Sequence, residues 1–133
     1  MVDSDALTLA EVVDEAFKNS KTHGFYDNAD AAKEFLSEHR PEYLDAYIRS
    51  EIAEKLALIH SEVSEALECL RVGDMTTGTA AQSSKPVGFP SEIADVVIRV
   101  ADLCGLLGID LNKEVKMKMR YNRARPYKHG KAL

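Results

Sequence analysis

The chain has 133 residues, 22 acidic and 17 basic, for a formal net charge of −5, and is 45% hydrophobic and 29% charged. This is the composition of a single globular domain over 1–133, and it excludes wholesale disorder and a generally basic nucleic-acid binder. No apolar run approaches the roughly 18 residues that cross a membrane, and the acidic start MVDSDALTLAEVVDE lacks the parts of a secretion signal, so no membrane role and a cytoplasmic location are expected.

The N-terminal pattern predicts a helix from Thr8 to Asn19. Thr8 and Glu11 match a capping box, and Leu9, Val12, Val13, Ala16 and Phe17 form an apolar face. Thr22 to Asn28 reads as a loop carrying two exposed aromatics, Phe25 and Tyr26, either of which could stack on a base or anchor the loop. Ala29 to His39 is a short helix, ended before Pro41.

A long helix is predicted from Pro41 or Glu42 to Arg71, closed by Gly73. Its residues Ile52, Leu56, Ile59, Val63, Ala66, Leu67 and Leu70 recur at spacings of three and four and predict a buried stripe about 100° wide. Residues 73–90 are rich in Thr, Ser, Gly and Pro and read as a mobile loop. Ser91 can cap a helix from Glu92 to Leu107 with Ile93, Val96, Val97, Val100, Leu103 and Leu107 inward, and Asp110 can cap a last helix from Leu111 to about Arg123. No segment shows strand alternation. The expected fold is all-α, an antiparallel helical bundle with a four-helix core. Cys69 and Cys104 lie within apolar helical patterns and read as reduced, buried thiols.

Two acidic pairs stand out. Glu62-Val63-Ser64-Glu65 and Glu92-Ile93-Ala94-Asp95 each place two carboxylates one turn apart on one helix face. At 100° per residue, Glu62 and Glu65 lie about 80° and 140° from Ile52, and Glu92 and Asp95 about 40° and 100° from Val96, so each pair borders its apolar stripe. If the two helices pack antiparallel, four carboxylates can converge. Such a cluster repels itself unless a hard cation relieves it, and oxygen-only ligands favour Mg²⁺ or Mn²⁺. The plainer reading is two solvated acidic faces. A di-iron bundle would need Glu-x-x-His, and no histidine has an acid three residues before it.

Charge is also uneven along the chain. Lys113 to Leu133 holds eight basic residues and one acid, which leaves 9 basic and 21 acidic residues in 1–112. In the basic tail 124–133 and the helix before it, Lys118, Asn122, Arg125 and Lys131 could hold phosphate oxygens if the tail returns over the acids. Nucleic acid is disfavoured as a partner, because tail charge alone gives nonspecific affinity that the acidic body opposes. Lys55, two turns before Glu62, is either an ion-pair partner or a phosphate contact. His60 and His129 read as packing or surface residues.

Glu62-x-x-Glu65, 26 intervening residues, then Glu92-x-x-Asp95 resembles the ExxE…ExxD signature of the MazG-like all-α nucleoside triphosphate pyrophosphohydrolases. The surrounding EKLALIHSEVSEALECLR, SEIADVVIRVADLCGLLGIDL and KMRYNRARPYKHGK, and His23-Gly24-Phe25-Tyr26, extend the resemblance over about 51–131 and 8–28. Residues 29–50 look like an insertion. The resemblance implies an oligomer, a homodimer or dimer of dimers, and Mg²⁺-dependent hydrolysis of (deoxy)nucleoside triphosphates to monophosphate and pyrophosphate, with Mn²⁺ as a substitute. It implies that Glu62, Glu65, Glu92 and Asp95 are metal ligands, and that Glu62 or Glu65 orients or deprotonates the attacking water. It places Lys118, Asn122, Arg125 and Lys131 on the triphosphate and makes Phe25 and Tyr26 candidates for the base, across a subunit boundary. The competing expectation is a non-catalytic helical module that binds a nucleotide or partner in the same cleft.

Overall fold

The structure, a computed structural model, describes residues 5–130, the last two by their backbone only. Helix dominates it: α1 (Leu9–Thr22), α2 (Asp27–His39), a 3-10 turn (Pro41–Tyr43), α3 (Leu44–Val72), α4 (Phe89–Leu107), α5 (Leu111–Ala124) and a second 3-10 turn (Tyr127–Gly130). The all-α expectation holds. No helix among the described residues is long and apolar enough to cross a membrane.

Local chemistry explains the helix ends. At α1 the Thr8 hydroxyl accepts from Glu11 N–H at 3.2 Å while Glu11 accepts from Thr8 N–H at 2.7 Å, the reciprocal capping box read from sequence. Asp110 caps α5 by accepting from Lys113 N–H at 3.0 Å. Gly73 and Gly108 close α3 and α4 in the left-handed conformation. The start of α4 differs from expectation. Gly88, not Ser91, is the capping residue, and Pro90 sits in the first turn, where its fixed φ suits a helix and its missing N–H leaves no bond unmade.

The 73–90 segment, expected as a mobile loop, carries a two-stranded antiparallel ladder, β1 (Gly78–Thr79) with β2 (Pro86–Val87). Two residues per strand are too few to show alternation in a sequence. The hairpin is pinned at its base: Phe89 N–H donates to Asp74 O at 3.0 Å, and Asp74 N–H donates to Cys69 O at 2.9 Å. Gly88 is buried with φ +101°, and a Cβ there would overlap the Thr76 carbonyl oxygen, so the close approach needs glycine.

Helix α4 is the hub, packing against both α1 and α3; α2 lies on α3, and α5 lies on α1. Val13, Ala101 and Cys104 form the buried centre, with Val12, Ala16, Val100 and Leu111 against it. Gly105 lets the Phe17 side chain of α1 come so close that any side chain there would collide with it. Cys104 is buried and Cys69 half-buried, both free.

The stripe expected to bury α3 is only partly covered. Ala66 is buried, but Leu56, Val63, Leu67 and Leu70 are 48–63% exposed. On α4, Ile93, Val97 and Leu107, also expected inward, are at least 40% exposed. The physical reason is angular: α4 runs along this part of α3 on the side that carries Lys55, Glu62 and Ala66, while Leu56, Val63, Leu67 and Leu70 lie round the helix from it, and α2 covers α3 nearer its start. A stripe sized for a core on several sides exceeds what one chain supplies.

Candidate functional site

Helices α3 and α4 run antiparallel. Lys55 pairs with Asp102 and Glu62 with Arg99, so residue numbers increase in opposite senses along the contact. This brings the two acidic pairs to the same level. Oxygen atoms of Glu62, Glu92 and Asp95 lie within 4.8 Å of one another, and all three residues are half-buried. Glu65 is exposed and stands outside that set, although its charge still acts on Glu92. Three of the four expected carboxylates therefore converge.

The electrostatics follow from the crowding. The Glu92 carboxyl is held above its ordinary value, first by burial and then by the negative charges of Asp95, Glu65 and Glu62; Lys85 on the hairpin opposes the shift. A hard divalent cation suits this donor set, since carboxylate oxygens are its preferred ligands and its charge relieves their repulsion. Glu62, Glu92 and Asp95 are the residues that could hold it.

Two clefts flank the carboxylates, and Asp95 lines both. One, of about 400 Å³, is bounded by Phe25, Lys55, Leu58, Glu62, Arg99 and Asp102, among others. The other, of about 410 Å³, lies under the hairpin, with Thr77, Lys85, Ser91 and Ile98 on its walls.

The two loop aromatics part company. Gly24, at φ +79°, turns the chain between α1 and α2. Phe25 is left 75% exposed at the mouth of the first cleft. Tyr26, expected as a second exposed aromatic and a base-stacking candidate, is instead 1% exposed and has no open face to offer a base. Its ring meets Phe17 edge-on, with centroids 5.3 Å apart and planes at 74°.

Lys55 takes the ion-pair alternative. Its ammonium lies 3.2 Å from Asp102 Oδ2 and 4.1 Å from the Tyr26 ring centroid. Asp102 and burial together push the Tyr26 hydroxyl upward, burial being the larger cause. Neither Tyr26 Oη nor Asp102 Oδ1 has a partner at full hydrogen-bond geometry among the described residues. Near the start of α3, Lys33 of α2 reaches the buried Glu51 at 2.8 Å, which ties the 29–50 segment to the body.

Asp102 and Arg99 were not among the residues expected at the site. The available signal was position: they follow Asp95 by seven and four residues, on the same face of α4, and Asp102 is a lone acid in the apolar stretch VADLCGLL.

None of the described residues expected on phosphate from the basic end of the chain lines either cleft. Lys118 and Asn122 are exposed on α5, Arg125 is half-buried after it, and Lys118 and Arg125 lie 5.8 and 5.7 Å from the Tyr121 ring. No residue of α5 lines either cleft. Lys131 and the side chain of His129 lie outside the described residues.

Comparison with family models, with curated proteins and with solved structures finds no match.

Proposed function

We propose that this protein is a MazG-like nucleoside triphosphate pyrophosphohydrolase, cleaving (deoxy)nucleoside triphosphates between the α- and β-phosphates to release monophosphate and pyrophosphate. The observation that carries this reading is the meeting of Glu62, Glu92 and Asp95 across two antiparallel helices beside two clefts. In it, Glu62, Glu92 and Asp95 hold Mg²⁺, or Mn²⁺ in its place. When bound, the cation neutralises phosphate charge and lowers the pKa of water. Glu65, exposed at the rim, is free to orient the attacking water and accept its proton. Phe25 offers an exposed face for the base at the mouth of the first cleft. The apolar stripes of α3 and α4 are covered by a second copy of the chain in this reading, as homodimer or dimer of dimers, and the α5 cations reach phosphate from within the chain or from that neighbour.

The test is pyrophosphate release from a panel of ribo- and deoxyribonucleoside triphosphates with Mg²⁺ or Mn²⁺. Turnover of at least one substrate is expected, with Glu62→Ala and Asp95→Ala each lowering it by about a hundredfold or more while circular dichroism stays unchanged. Hydrolysis of none of the panel would overturn the enzyme reading. Thermal stabilisation by nucleotide without turnover would mark the non-catalytic binding module instead.

A further inference from the structure

Three cationic side chains line the clefts beside the carboxylates, and their situations differ. Lys55 is held by Asp102 and lies over the Tyr26 ring. Lys85 forms no salt bridge among the described residues and faces the cleft under the hairpin. Arg99 is bonded to one of the three converging carboxylates itself: its Nε lies 2.6 Å from Glu62 Oε1. Glu62 is well covered, at 15% side-chain exposure, whereas Arg99 at 42% remains open to the cleft that both line.

A guanidinium and a divalent cation compete for the same Glu62 charge, and both are positive. Placing them on one carboxylate at full strength brings like charges together, so occupancy by one weakens the other. The guanidinium does not need to travel far to find another partner. Arg99 sits one turn after Asp95 on α4, so its stem rises beside the carboxylates and its planar fork borders the 400 Å³ cleft. Phosphate oxygens entering that cleft match the fork in geometry and charge.

We infer that Arg99 is an exchange residue: it neutralises Glu62 while no cation is held, and passes to the phosphate oxygens of the substrate when a divalent cation takes Glu62. This rests on the reading of Glu62, Glu92 and Asp95 as a divalent-cation site. The exchange couples the two ligands. Cation binding frees the guanidinium for phosphate, and phosphate draws the guanidinium away from Glu62, so each raises the other's affinity by the same factor.

Calorimetric titration of the full chain with Mn²⁺ alone, and with inorganic triphosphate at excess Mn²⁺, tests this on wild type, Arg99→Ala and Arg99→Lys. Without triphosphate, Arg99→Ala should bind Mn²⁺ a few-fold to about tenfold more tightly than wild type, because the competing cation is gone. With excess Mn²⁺, the same variant should bind triphosphate about tenfold or more weakly. Arg99→Lys, which keeps the charge without the fork, should stay close to wild type for Mn²⁺ and resemble Arg99→Ala for triphosphate. Unchanged or weakened Mn²⁺ binding by a folded Arg99→Ala would overturn the exchange while leaving the cation site standing. A wild-type protein that binds no Mn²⁺ would overturn the site reading and the exchange together.

Discussion

Lys55 on α3 and Asp102 on α4 form a covered ion pair, Nζ to Oδ2 at 3.2 Å, with side chains 17% and 12% exposed. Removing one partner strands a charge in low dielectric, whereas removing both strands none. Lys55→Met and Asp102→Leu should each cost on the order of 3 kcal/mol of folding stability, and the double variant clearly less than their sum. Urea unfolding of the four proteins measures this. Additive losses would show that the pair is not coupled.

Tyr26 separates ring from hydroxyl. Its ring fills the space between Phe17 and Lys55, but its hydroxyl finds no well-formed hydrogen bond among the described residues. Tyr26→Phe should therefore change stability by less than about 1 kcal/mol, in either direction. Tyr26→Ala should cost about 3–5 kcal/mol by leaving a cavity. Equal losses in chemical denaturation of the two variants would assign the hydroxyl a role that its geometry does not.

The raised carboxyl of Glu92 makes the cation-free protein sensitive to pH. Because its folded pKa lies above the ordinary 4.5, the group's contribution to stability is fully present below 4.5 and lost as pH rises through the folded value. Cation-free wild type should thus lose more thermal stability than Glu92→Gln between weakly acidic and neutral pH. Mn²⁺ at neutral pH should raise the wild-type melting temperature more than that of the variant. Parallel pH profiles for the two proteins, followed by thermal denaturation, would rule out Glu92 as the strained member of the cluster.

Much of the fold was legible because it depends on near neighbours in the chain. The Thr8–Glu11 box and the Asp110 cap need only residues three apart. The faces of α3 and α4 need only the helical period, which is why Glu62, Glu92 and Asp95 could be placed beside an apolar stripe before any packing was known. The hairpin at 78–87 escaped because its strands are too short to leave a pattern.

What the sequence by itself determined is the set of helices, the Thr8 and Asp110 caps, the glycine stops of α3 and α4 and the angular position of each acidic pair, all consequences of local backbone geometry. Tertiary structure alone decided that Phe25 faces out while Tyr26 is buried, that Glu65 stands apart from the other three acids, and that Arg99 and Lys55 find Glu62 and Asp102. These are distances between helices. They are set by how close α1, α3 and α4 can approach, down to the missing side chain at Gly105, and a one-dimensional period carries no record of them.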